Sequence, residues 1–97
     1  MTGTRISSEG LDARRRRLLF RSWHRGIREM DLVLGRFADA QIAALSDADL
    51  EEYERLLEIP DQQMLAWVIG AEQPPAVVDT PLFRRLRAFH GEGTSTA

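Results

Sequence analysis

Apolar residues return every three to four positions in five separate stretches of the chain, the rhythm of helices that each bury one face. Leu11, Leu18, Leu19, Ser22 and Trp23 form a rough inner stripe and predict a first helix from about Leu11 to Trp23. The rhythm breaks at Gly26 and restarts at Ile27, Met30, Leu34, Phe37 and Ala38, so the glycine marks a junction between two helices. Ser46 can cap the open amides of a third helix, with Asp47 and Asp49 in its first turn and Leu45 stapled against Leu50. Leu50, Tyr53, Leu56 and Leu57 give that helix its inner face, and Pro60 stops it. Asp61 then reads as the cap of a fourth helix with core residues Met64, Leu65, Trp67, Val68 and Ile69, ended by Gly70 and Pro74-Pro75. Thr80-Pro81 is a cap followed by proline at the first helical position, which predicts a last helix turning Leu82, Phe83, Leu86 and Phe89 inward.

No alternating run of β-branched residues is long enough for a strand, since Ala76-Val77-Val78 is short and lies beside prolines. The expected fold is all-α, a compact five-helix bundle in a single domain over residues 11–90. Residues 1–10 and 91–97 are rich in Ser, Thr and Gly without apolar period and read as disordered tails.

Composition narrows the chemistry. Without cysteine there is no disulfide, thiol nucleophile or thiolate zinc site, and His24 and His90 are the only imidazoles. No metal site and no catalytic residue is expected, because no HExxH, EF-hand loop, GxSxG, phosphate loop or GxGxxG occurs. No apolar run is long enough for a bilayer and the start lacks a secretory apolar core, so a soluble, cytoplasmic protein is expected. The net charge of −2 hides an asymmetry: residues 1–36 hold nine Arg against four acids, and residues 37–79 hold Arg55 alone against ten. That division predicts one basic and one acidic face. The run Arg14 to Arg17 opens an alternative function, a small helical nucleic-acid-binding regulator, but the acidic middle of the chain would repel phosphates. Glu51, Glu52, Glu54 and Glu58 read as the solvated side of the third helix.

Arg25-Gly26-Ile27-Arg28-Glu29 is harder to explain as stability alone. A glycine at a junction permits an unusual backbone angle or a close approach by a partner. Arg25 and Glu29, four apart, could pair within a helix, a contribution of only a few tenths of a kcal/mol. Trp23 is expected in the core, with His24 extending a contact surface.

Together with Met30-Asp31, with Leu56-Leu57-Glu58 leading through Asp61 to Trp67, and with the Gln73-Pro74 exit, this segment resembles the succinate dehydrogenase assembly factor family, the SdhE-like flavinylation factors with their RGxxE motif. The likeness runs over residues 14 to 89. It implies a five-helix assembly factor, not an enzyme, that binds the flavoprotein subunit of succinate dehydrogenase, with that of fumarate reductase as a further client, and promotes covalent attachment of FAD to a partner histidine. It implies partner-binding roles for Arg25, Gly26 and Glu29, with His24 and Arg28 beside them. FAD is then the partner's cofactor, with none stably bound here, and no nucleic acid or membrane partner is implied. The chain departs from the family at His24, where Arg or Lys is frequent, and at Gly35-Arg36-Phe37, where a Met-Pro-Phe-like segment is common, a change expected to alter how helix two ends. The N-terminal stretch is short for a mitochondrial presequence, so the bacterial form of the family is the expected one. A monomer when free is the expected state.

Overall fold

The computed structural model describes residues 10–95. Among them are five α-helices: α1 (Ala13–Trp23), α2 (Arg28–Gln41), α3 (Asp47–Leu57), α4 (Asp61–Val68) and α5 (Pro81–Ser95), with a 3-10 turn at Ile42–Ala44 after α2. The all-α expectation holds. The N-terminal tail expected over residues 1–10 lies outside the described residues except for Gly10.

The caps explain most boundaries. Asp12, not Leu11, starts α1: its carboxylate accepts the Arg15 N–H at 2.8 Å, while Leu11 packs against the core from outside the helix. Ser46 caps α3 through the Asp49 N–H at 3.1 Å, and Thr80 caps α5 through the Phe83 N–H at 3.2 Å. The end of α4 is a Schellman turn, with Ala71 N–H bonded to Ala66 O, Gly70 N–H bonded to Trp67 O, and Gly70 at φ +82°. At the start of α4 the expectation fails, because Pro60 occupies the cap position and Asp61 is already helical. Helix α5 runs on to Ser95, into the stretch read as a tail at 91–97, of which residues 96–97 lie outside the described residues. Gly91 and Gly93 weaken a helix by about 1 kcal/mol each, but no proline follows to break it.

Around one core, α1 packs along α2, α3 crosses beside α1, and α4 and α5 close the other side of α2. Met30, Leu34, Phe37, Ile42, Leu50, Tyr53, Met64, Phe83 and Leu86 are sealed from solvent, and Trp23 and Trp67 nearly so. Two expected core residues are not in it: Ile27 sits at the junction and Ile69 at the end of α4, and both are exposed. The buried polar pair Ser22 and Tyr53 meets at 2.6 Å between α1 and α3, with Ser22 Oγ donating to Leu18 O, and burial raises the Tyr53 phenol well above its ordinary pKa.

The basic and acidic stretches do not form separate faces. Helix α1 lies against α3, so Arg14 makes a two-bonded pair with Glu54 and Arg21 reaches Glu58. The Arg14 guanidinium holds the Glu54 carboxyl below its ordinary value of 4.5. The change at Gly35 does not end α2. It sits inside the helix, and the Trp23 indole lies flat against it while the indole N–H bonds Asp39 at 3.1 Å.

A Cβ at position 35 would stand 2.5 and 2.6 Å from two atoms of the Trp23 ring. Gly35→Ala gains about 1 kcal/mol of helix propensity but overpacks a ring that cannot shift without losing Asp39, at about 1–3 kcal/mol. The expected outcome is a net loss of about 1 kcal/mol and a Tm lower by about 4–8 °C in thermal circular dichroism. Because the Glu54 pKa is depressed, its stabilisation is present above its unfolded pKa and is lost as pH falls through the folded value. Glu54→Gln should therefore lower stability at pH 7 and flatten the loss of Tm below about pH 4.5.

Candidate functional site

The junction between α1 and α2 owes its shape to what holds it from beneath. Helix α1 ends at Trp23, and after His24 the backbone swings through Gly26 at φ +108°, a region that side-chain-bearing residues avoid. Ile27 is extended and enters α2 without a side-chain cap. Asp31, one turn into α2, reaches back to accept the Arg25 N–H at 2.6 Å.

Arg25 itself points inward, with 13 % of its side chain exposed. Its Nε donates to Asp61 Oδ1 at 2.8 Å, Nη1 to Leu57 O at 2.7 Å and Nη2 to Ile59 O at 3.1 Å. The planar fork thus fills the corner between α3 and α4. Leu57 O is a carbonyl at the negative end of α3 that the guanidinium satisfies, and Asp61 lies at the positive start of α4, so both charges sit where the helix dipoles favour them. The intrahelical Arg25–Glu29 pair considered from the sequence does not form.

With Arg25 drawn inward, the outer surface of the segment consists of His24, Gly26, Ile27, Arg28 and Glu29, all exposed. A Cβ on Gly26 would meet nothing within 4 Å, so the space over that backbone is open. Among the described residues, Arg28 and Glu29 have no internal ion-pair or hydrogen-bond partner for their charged groups. His24 stacks on Phe20 with ring centroids 3.8 Å apart, and its Nδ1–H donates to Phe20 O at 2.7 Å, which aims Nε2 away from that carbonyl. Phe20 is 62 % exposed, and sequence reasoning passed over it. The available signal was its i, i+4 spacing to His24 on the side of α1 away from Leu18 and Leu19. The structural roles of Asp31 and Asp61 were also missed, since neither follows from spacing within one helix.

The site therefore separates into Arg25, which fixes the loop, and Gly26, Arg28, Glu29 and His24, which face outward. Such groups are suited to contact: a bare backbone, one anion, one cation and an aromatic stack. Among the described residues, most of the Arg14–Arg17 run is engaged within the fold, with Arg17 the exception. Arg14 is paired with Glu54, Arg15 bonds Asp12, Ile42 O and Leu45 O, and Arg16 bonds Leu11 O. Among the described residues no group of three or more His, Asp and Glu could hold a metal ion, and no helix is long and apolar enough to cross a membrane.

Residues 16–90 match the profile of the family described as flavinator of succinate dehydrogenase. The FAD assembly factor SdhE of Acetobacter pasteurianus is 37 % identical over 81 residues, which is 84 % of this chain and 74 % of that protein. A mitochondrial succinate dehydrogenase assembly factor 2 from Debaryomyces hansenii is 41 % identical over 61 residues, 63 % of this chain but 43 % of that one. The corresponding protein of Caenorhabditis briggsae is 30 % identical across 95 % of this chain and 78 % of its own length. No solved structure shows a significant match.

Arg25→Lys keeps the charge but cannot reach Asp61 and two carbonyls at once. It should lower unfolding free energy by about 1–3 kcal/mol in urea denaturation. The Gly26 amide resonance should move at the same time, because the loop loses its anchor.

Proposed function

Because the chain belongs to the flavinator of succinate dehydrogenase family, we propose that it binds the flavoprotein subunit of succinate dehydrogenase and promotes covalent attachment of FAD to a histidine of that subunit. The observation that carries this reading is the outward display of Gly26, Arg28 and Glu29 on a loop whose shape Arg25 fixes independently of any partner. A preformed loop binds without the entropy of ordering it. The open backbone at Gly26 lets a partner's main chain approach within contact distance, and Glu29 offers a carboxylate that is not already neutralised.

In this reading the factor works by orientation. Its binding energy favours the partner conformation in which the acceptor histidine and the flavin ring meet productively. The flavin supplies the electrophilic ring system, and bond formation remains with it and with the partner's residues, so no side chain of this chain is catalytic. We place FAD in the client, since the sequence has no glycine-rich phosphate loop of its own. A fumarate reductase flavoprotein is a second client in this scheme, and the factor acts in the cytoplasm as a monomer.

Co-expression with a succinate dehydrogenase flavoprotein subunit, reading covalent flavin by fluorescence in a denaturing gel, tests the proposal. The wild-type chain should raise the signal several-fold. Glu29→Arg should abolish most of that gain while costing no more than about 1 kcal/mol of stability, the loss of a favourable charge in the first turn of α2. Gly26→Val should lower stability by about 1–2 kcal/mol through its backbone angle and abolish the gain as well. Equal flavin with and without the chain would refute the reading.

A further inference from the structure

One face of the bundle is unfinished. Between α2, α4 and α5 lies a groove of about 410 Å³ lined by Leu32, Val33, Leu65, Ile69 and Phe89, with Glu29, Arg36 and His90 among its walls. Elsewhere the large apolar side chains of these helices are sealed, but Leu65 and Phe89 are only partly covered and Ile69 is 57 % exposed. The polar groups are ordered too. Glu29 and Arg36 stand seven residues apart on α2, two turns or about 10.5 Å along one face, with Leu32 and Val33 between them.

Glu29 belongs both to the docking loop and to this groove, so a surface that lies on the loop continues into the groove without a gap. Resting on the function proposed above, we infer that the groove receives an anchor segment of the flavoprotein client. That segment carries one or two large aliphatic or aromatic residues, with a basic residue facing Glu29 and an acidic residue facing Arg36. The charges fix its direction, and the apolar floor supplies the affinity. Neither Glu29 nor Arg36 has an internal salt bridge among the described residues, so neither must give one up to bind. A second copy of this chain fits less well. A stable dimer buries about 800 Å² on each partner, whereas this groove accommodates only one or two side chains and suffices as one part of a contact already held by the loop.

The test uses the full chain and the purified flavoprotein subunit of succinate dehydrogenase, with affinity read by biolayer interferometry and oligomeric state by sedimentation velocity. Ile69→Gln removes exposed apolar surface without placing charge at the end of α4, and should weaken binding about tenfold with Tm unchanged. Arg36→Glu reverses one end of the groove and should weaken binding at low salt more than at high salt. If both variants bind like wild type while Glu29→Arg does not, the groove inference is overturned and the docking loop stands. Should Ile69→Gln dissociate a homodimer and leave client affinity unchanged, the occupant is a second copy and the inference is again overturned. If the wild-type chain does not bind the client at all, the function proposed above fails and takes this inference with it.

Discussion

The Arg25 guanidinium lies where two helix ends of opposite sign meet, and most of the functional face depends on its being there. It satisfies a carbonyl at the end of α3 and another in the α3–α4 turn, and it pairs with the carboxylate that begins α4. Its own backbone amide is held by Asp31 of α2. One residue thereby ties the α1–α2 junction to the α3–α4 corner, joining parts of the chain more than thirty residues apart. A loop that must present bare backbone to a partner cannot be held from its outer side, because any brace there would occupy the contact. Anchoring from beneath resolves the conflict.

That arrangement also marks the limit of what was legible in the sequence. Helix positions and most of the core followed from periodicity and caps, since Ser46, Gly70 and Thr80-Pro81 act on their immediate neighbours. The motif was visible as an oddity, and the family likeness gave it a meaning. Hidden from view was which side of the loop each residue serves. Arg25 reads as part of the contact surface in one dimension because its partners, Leu57, Ile59 and Asp61, are distant in sequence and two of them contribute only carbonyls. Asp61 was mistaken for a cap for the same reason. Ile27 and Ile69 satisfy the helical rhythm yet stand exposed, since periodicity reports a helix face without saying whether the bundle covers it.

Charge followed a similar course. The division between an arginine-rich start and an acid-rich middle suggested opposing faces, but the fold sets α1 beside α3 and lets the two stretches partly neutralise each other. Each such exposed pair is worth little, at about 0–1 kcal/mol. Their larger effect is to withdraw Arg14 and Arg15 from any polyanion. Arg28, Glu29 and Arg36, without internal ion pairs among the described residues, all lie on α2, so that helix offers free charge of both signs beside the junction.

The seat of Trp23 on Gly35 ties two sites to one shared volume. An indole sits at position 23 without strain only while position 35 offers no side chain, so a group added there acts on α1 as much as on α2. Gly35 therefore sets the closeness of α1 and α2 from within the wall they share, a constraint of space that is separate from the backbone angle Gly26 needs in the docking loop.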